Sequence, residues 1–597
     1  MVRRSPRPFS DGSCRLINDS DLIASNFIEC INDCFIYQNV QKVVLSDSNN
    51  RIDCLKHLPP LGGIEHGHHV LNFKYNFKDD RIDSQTKGKH KILFKKGKYK
   101  ELSVYFSSFN WENEFQDLNA NDCYKKWLSI YHVGCEKLIP SMFLHKGKRS
   151  APWMSRVLRK MVKLKKRLWY KCRNSGFKQV EMVEDYKILN KNVKKRVTED
   201  IKAFELSLAK NSKKNPKSVF AYLNSKTVIK DSIKALKNEN GSITTSGVDI
   251  ANCLNDYFVS VFLKDESLDE SVIFPEKCEN VCIDPKFGVI DVSEQLENLN
   301  VNKATGVDLV HPYVLKECAK SLSIPLSIIF KKSYFSGVVP DEWLNANITP
   351  LFKKGNKLEP TNYRPVSLTS TVCKVMEKMI REVMMNHLVS NNLLASEQHG
   401  FVNGKNCSSN LLEAFDFITK GYEDGINIDV IFLDFSKAFD SVSLFKLCCK
   451  LYGYGFRSFM LEWCKAFLSN RKQRVVMGEY ISEWKQVTSG VPQGSVLGPL
   501  MFVIFINDLM VDVINVLKLF ADDTKIMSKI FDYNSCIALQ DDLNKLLNWS
   551  NEWSIKFNED KCKVMHIGKT NPHFDYKMND QTLQKTEVER DRCNNIK

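Results

Sequence analysis

Apolar positions along the chain fall into short runs and helical stripes, and two of the runs end on acids. Val430, Ile431, Phe432 and Leu433 lead into Asp434, and Leu517, Leu519 and Phe520 lead to Asp522 and Asp523. A brief apolar run bounded by polar residues predicts a buried strand. Its terminal carboxylates then lie where a core strand reaches the surface. Such groups are costly to bury unless paired or bound to a metal. Three carboxylates converging from two neighbouring strands would hold two Mg2+ ions about 3.5–4 Å apart, an arrangement suited to in-line phosphoryl chemistry.

The same patterning predicts further elements. Val70–Phe77 alternates and reads as a strand. From Trp153 to Lys226, Val157, Met161, Leu164 and Leu168 recur at helical spacing. Asp265–Ile290 is polar, contains Pro275 and Pro285, and reads as a linker. The β-prone run before Lys353 and Lys354 predicts a strand, and Arg364 precedes Pro365, which favours extended backbone. Val372, Val375, Met376, Met379 and Val383 share one side of a helix over 370–387. Ser489–Leu500 is a loop punctuated by glycine and proline that enters a helix; glycine there permits close backbone approach. Ala538–Lys569 reads as an amphipathic helix, a turn and a strand.

Composition adds scale and charge. At 597 residues the chain exceeds one domain of roughly 100–200 residues, and 43% hydrophobic content is ample for a core. Lys+Arg number 86 against 70 Asp+Glu, a formal net charge of +16 that suits a polyanionic partner. The most basic stretch is Lys163–Arg173. It reads either as a solvated helix face or as a sequence-independent nucleic-acid grip. In the second reading Lys163, Lys165, Lys166 and Arg167 meet phosphates, while Trp169 and Tyr170 stack on bases. The 19 cysteines are scattered without zinc spacing and read as reduced thiols of an intracellular protein. The basic N-terminus lacks the apolar stretch of a secretory signal. No run approaches the ~18 apolar residues of a membrane span.

Three strings stand in fixed order: LDFSKAFD at Leu433–Asp440, GVPQGSVLGPLMFVIFIND at Gly490–Asp508 and FADD at Phe520–Asp523. Together they resemble the reverse transcriptase of a non-LTR retrotransposon of the LINE or jockey kind. The resemblance implies an α+β fold, the right-hand polymerase fingers and palm with an antiparallel palm sheet, over residues 291–597, with the thumb missing. It implies a basic, mainly helical connector at 78–290. Residues 16–77 resemble the C-terminal remnant of an endonuclease/exonuclease/phosphatase-like domain, a partial α/β-sandwich fragment, and residues 1–15 read as disordered. His66 belongs to that remnant and is expected to be inactive. Glu65 stands where the family has Asp, and a nuclease needs its whole set of roles rather than one histidine.

By resemblance the activity is RNA-directed DNA polymerisation: a DNA 3′-end is extended on an RNA template with dNTPs, using two Mg2+ ions or Mn2+. Asp434, Asp522 and Asp523 would be the catalytic, metal-binding acids, Asp434 and Asp522 most directly; Asp440 reads as structural. Phe439 would sit under the sugar and exclude a 2′-hydroxyl by a clash, or else be an ordinary core aromatic. Gln493 and Gly494 would meet the incoming nucleotide, Arg364 its triphosphate, and Lys561 its pyrophosphate as a proton donor. Lys353, Lys354, Gly400 and Phe401 would contact nucleic acid. Implied partners are an RNA template, a DNA primer, dNTPs and the element's own RNA, with no membrane. The implied location is nucleus and cytoplasm, as a ribonucleoprotein. The alternative is a truncated, inactive nucleic-acid-binding remnant of such a polymerase. An RNA-templated RNA polymerase or a group II maturase fits less well, given Phe439, PQGSVLGPL and the connector.

Overall fold

The apolar runs become strands of two sheets. The computed structural model describes residues 90–143, 151–212, 216–226, 233–238, 240–263, 274–591 and 594–596, with short strands at Tyr37–Gln38, Leu45–Ser46, Ile52–Leu58 and Val70–Tyr75 before them. Residues 1–15 and His66 lie outside the described residues. The chain divides into two compact units, residues 1–91 with 143–146, and residues 92–142 with 147–597. In the first, Ile52–Leu58 pairs antiparallel with Val70–Tyr75, where alternation predicts a strand.

The second unit holds both sheets. The strands of these two five-stranded sheets are β1 (Asn345–Phe352), β2 (Tyr363–Leu368), β3 (Asn427–Asp434), β4 (Lys472–Met477), β5 (Tyr480–Ile481), β6 (Lys485–Gln486), β7 (Val516–Phe520), β8 (Asp523–Ile530), β9 (Lys563–Ile567) and β10 (Gln584–Lys585). One sheet runs β7-β8-β3-β9-β10. It is antiparallel except for the parallel β9–β10 pair. The other runs β2-β1-β4-β5, with β6 also on β4 and β1–β4 parallel.

The helices used below are α1 (Arg156–Asn174), α2 (Val180–Lys210), α3 (Gly247–Ser260), α4 (Thr371–Ser390), α5 (Cys407–Glu423), α6 (Gly498–Ile506) and α7 (Tyr533–Glu552). Alternation sorts the faces of the first sheet. Ile431, Leu433, Ile526 and Val564 face the main core, which includes Leu539 and Leu543 of α7. Ile428, Val430, Met527 and Met565 face Leu411 and Ala414 of α5. α6 is apolar all round and almost wholly buried, as a core helix must be. α4 carries the predicted stripe and is capped by Ser370, whose side chain accepts from the Cys373 N–H. α7 starts five residues earlier than its apolar pattern suggests, because the Asp532 side chain caps it through the Ser535 N–H.

Two stretches differ from their sequence reading. The expected linker contains Phe274, Cys282 and Phe287, all buried in the main core, with the Phe274 ring against Tyr454 and Trp553. Their spacing is irregular and leaves no periodic signal. Upstream, Tyr124, Trp127 and Tyr131 on the Ala120–Leu138 helix join that same core, and the Tyr124 hydroxyl donates to Asp308 Oδ2 at 2.7 Å. α3 packs on the second sheet, burying Ile250, Leu254 and Phe258 against Ala346, Ile348 and Val475. Among the described residues no helix is long and apolar enough to cross a membrane.

Candidate active site

β3 ends at Asp434, and antiparallel register places Asp523, the first residue of β8, directly opposite. A two-residue turn, Ala521–Asp522, joins β7 to β8 and carries the third acid. Asp523, rather than Asp522, is thus the cross-strand partner of Asp434. Ala521 sits at φ +54°, a left-handed conformation that residues with a Cβ adopt at a cost. The Asn558 N–H donates to the Asp434 carbonyl at 2.7 Å and fixes the strand end. Lys561 Nζ donates to Asp434 Oδ2 at 2.6 Å.

Asp434 and Asp523 open onto a cleft of about 540 Å³ that is also lined by Lys354, Lys525, Lys561 and Lys563 and by two further acids, Asp560 and Glu589. Like charges directly opposite on paired strands destabilise a sheet. The Lys561 ammonium offsets that repulsion here and marks the spot as one that favours a cation. Among the described residues, no three Asp, Glu, His or Cys side chains converge closely enough to hold an ion as they stand. The donor set itself, hard carboxylate oxygens beside an open cleft, matches Mg2+ or Mn2+.

Cations gather above the acids. Burial pushes the Lys353 ammonium below its ordinary range; the charges of Arg364, Lys561 and Lys354 push the same way, and Asp434 opposes them. These groups therefore share one electrostatic neighbourhood. Arg364 lies on β2 opposite Leu351, with its side chain exposed.

The glycine-punctuated loop is threaded between the two sheets' ends. Gly494 has φ +120°, and a Cβ there would lie 2.4 Å from the Ser367 carbonyl oxygen. Gly490 has φ +86°, and its Cβ would lie 2.6 Å from the Phe439 carbonyl oxygen. The Ser367 N–H donates to the Gln493 carbonyl at 3.1 Å, and Gln493 Nε2 donates to Asp440 Oδ1 at 2.9 Å. Burial pushes the Asp440 carboxyl up to about 6, against the pull of Lys437 and the Gln493 bond. Phe439 is half-buried and stacks on Phe502 of α6 at 4.6 Å between ring centroids.

One residue of this region escaped sequence reading. Glu377 is fully buried on α4, and its Oε2 accepts from the Val496 and Leu497 N–H groups at 2.6 and 3.1 Å, just ahead of α6. Its signal was a charge set between apolar Met376 and Met379. The remaining sequence candidates divide between the Ala521 turn and a distant helix. Gly400 is buried against the Ala521 turn, and Phe401 is 44% exposed at φ +59°. Lys163, Lys166 and Arg167 are exposed on α1 and Lys165 is half-buried there, away from the cleft lining. α1 pairs with α2 as a helical hairpin, with Asp200 accepting from the Ser155 N–H at 3.1 Å.

Residues 352–589 match the family described as reverse transcriptase (RNA-dependent DNA polymerase). The probable RNA-directed DNA polymerase from transposon BS of Drosophila melanogaster is 28% identical over 289 residues, covering 46% of this chain and 31% of that protein. The corresponding polymerase from mobile element jockey of the same species is 28% identical over 282 residues, with 46% and 31% covered. That from transposon X-element is 26% identical over 282 residues, with the same coverage. The chain spans about a third of the length of these curated relatives. Among solved structures, an apo telomerase from Candida tropicalis, truncated from its C-terminal domain, aligns at TM-score 0.28 and 13% identity, covering 44% of this chain and 65% of that one. The matched stretch carries Asp434, Gln493, Asp522 and Asp523, so the residues of this site lie within the part of the chain that is similar to reverse transcriptases and to RNA-directed DNA polymerases of mobile elements.

Proposed function

We propose that the chain is an RNA-directed DNA polymerase that extends a DNA 3′-end on an RNA template with dNTPs. The β3–β7–β8–β9 sheet serves as its palm, and the β1–β2–β4 sheet as its fingers. The observation that carries this reading is the pairing of Asp434 with Asp523 at a cleft lined by both carboxylates and lysines. In the reaction the primer 3′-hydroxyl releases its proton to solvent, its oxygen bonds to the α-phosphorus as the bond to the bridging oxygen breaks, and pyrophosphate leaves. A pair of divalent ions held by Asp434, Asp522 and Asp523 would supply Lewis-acid chemistry for that displacement.

The chain's own groups do the remaining work. Lys353, Lys354 and Arg364 offer donors to triphosphate oxygens, Arg364 through its planar fork. Lys561 exchanges its Asp434 partner for the departing pyrophosphate and donates a proton to it. Phe439, braced by Phe502, meets the 2′ position of the sugar and rejects a ribonucleotide. Gln493 and Gly494, fixed between Asp440 and Ser367, form the wall against which the base pair is set. Exposed Lys163, Lys166 and Arg167 on α1 hold nucleic-acid backbone, a salt-dependent contribution.

The test is Mg2+-dependent extension of a DNA primer on an RNA template by the full chain. Extension that is lost in Asp434→Asn, with weaker rejection of rNTPs by Phe439→Val, is the expected result. Salt-dependent RNA binding without any extension would overturn the polymerase in favour of a binding protein. Salt dependence unchanged on replacing the three exposed α1 cations would remove α1 from the interface.

A further inference from the structure

The Ala521–Asp522 turn is not held by its own sheet alone. The segment Glu397–Gly400 lies along the outer edge of β7, with Gln398 bridged in parallel to Leu519. The Leu519 N–H donates to the Glu397 carbonyl at 3.0 Å, and the His399 N–H returns a bond to the Leu519 carbonyl at 2.9 Å. Asn410 Nδ2 of α5 donates to that same carbonyl at 3.1 Å. This short strand covers an edge that would otherwise expose its backbone groups.

Gln398 does more than pair. Its side chain is fully buried, and Oε1 accepts two backbone N–H groups, from Gly400 at 2.7 Å and from Ala521 at 3.0 Å. Ala521 is the residue at φ +54°, immediately before Asp522. Strained backbone of this kind persists only where its surroundings over-determine it. Gly400 closes the other side: a Cβ there would lie 2.4 Å from the Ala521 nitrogen and 3.0 Å from the Phe520 carbonyl carbon. One side-chain oxygen and one missing methyl group thus fix the backbone from which Asp522 and Asp523 project.

We propose that Gln398 is a positioning residue that sets Asp522 and Asp523 against Asp434 by holding the Ala521 N–H. The inference rests on the polymerase reading for its consequence, but its geometry can be tested without catalysis. Gln398→Met keeps the shape and removes the acceptor, whereas Gln398→Glu keeps an accepting oxygen. Partners that orient metal-binding side chains typically change metal affinity by 10–100-fold when removed. The probe is Mn2+, titrated into the nucleic-acid-free full chain and followed by electron paramagnetic resonance.

Gln398→Met is expected to weaken Mn2+ binding about tenfold or more, while Gln398→Glu stays close to the parent and Asp522→Asn abolishes the site. Equal affinity in the parent and a folded Gln398→Met overturns the proposal, as does equal loss in the Met and Glu variants. A parent that binds no Mn2+, or whose binding survives Asp522→Asn, overturns it too. Amide hydrogen exchange on the parent needs no variant: Ala521 and Gly400 N–H groups should exchange slowly, and fast exchange at Ala521 sinks the clamp. Failure of primer extension with the Mn2+ differences intact would sink the polymerase reading and leave the clamp standing.

Discussion

Asp429 and Asp434 belong to the same strand, five residues apart, and so point to opposite faces of one sheet. Asp429 is fully buried, and three side chains saturate it: Asn571 Nδ2 at 2.8 Å and His566 Nδ1 at 2.7 Å on Oδ1, Tyr576 Oη at 2.6 Å on Oδ2. Burial and the Asp429 charge together hold the Tyr576 hydroxyl far above the ordinary phenol range. Asp434 stands at the strand's open end, faces another carboxylate and accepts from Lys561, a side chain that is 55% exposed. A saturated acid locks the sheet to the 571–576 segment. An acid set against a second acid keeps capacity for a cation that arrives later. The contrast separates structural from catalytic carboxylates on physical grounds, where sequence strings separate them only by resemblance.

Substitution at each end of β3 should therefore fail differently. Asp434→Asn is expected to cut primer extension about 1,000-fold or more, taking roughly 4 kcal/mol as the charge stabilisation lost. Its unfolding free energy should stay within about 1 kcal/mol of the parent, since it also relieves repulsion with Asp523. Asp429→Ala should do the reverse and destabilise by about 3–5 kcal/mol, because three buried donors lose their acceptor. Denaturant unfolding followed by tryptophan fluorescence reads both. Comparable stability loss in the two variants would erase the distinction.

A third acid sharpens the comparison through pH. Asp440 titrates near 6 when folded, raised from 3.8 by burial. Between those two values the folded chain keeps a proton that the unfolded chain has released. Stability from this group is therefore fully present below about pH 4, declines as pH rises towards 6 and is level beyond it. The span is worth about 3 kcal/mol at 1.36 kcal/mol per unit. Asp440→Asn should flatten that part of the stability–pH curve, measured by urea midpoints from pH 4 to 7. An unchanged slope would show that Asp440 is ionised throughout.

Much of this site was legible in sequence because its residues sit in contiguous strings with the right flanks. The apolar run before Asp434 became β3, and the run before Asp522 became β7. Gly490 and Gly494 fell at positive φ, where the loop approaches backbone from other elements. What sequence withheld depends on contacts across long separations. Gln398 reaches Ala521 over 123 residues, Glu377 reaches Val496 over 119, and Tyr576 reaches Asp429 over 147. Each is a polar residue in a stretch whose local pattern signals only helix, loop or strand. Gly400 shows the limit most clearly. By resemblance it would contact nucleic acid, and its contact with the Ala521 turn, where a Cβ would lie 2.4 Å from the Ala521 nitrogen, had no signal in the local sequence.

The smallest expected effect concerns the cation on Asp434. Lys561 and Asp434 pair at 2.6 Å, but their side chains are 55% and 33% exposed. Water screens such a pair, and ordering the long lysine chain offsets part of the attraction, so exposed pairs contribute roughly 0–1 kcal/mol. Lys561→Met should therefore shift the unfolding free energy by less than about 1 kcal/mol, well below the loss at Asp429. It should also let Mn2+ reach Asp434 more readily, because the ammonium no longer competes for Oδ2. A loss of several kcal/mol in the same unfolding assay would mean that Lys561 is bound into the fold as tightly as Tyr576, and the two ends of β3 would no longer differ in kind.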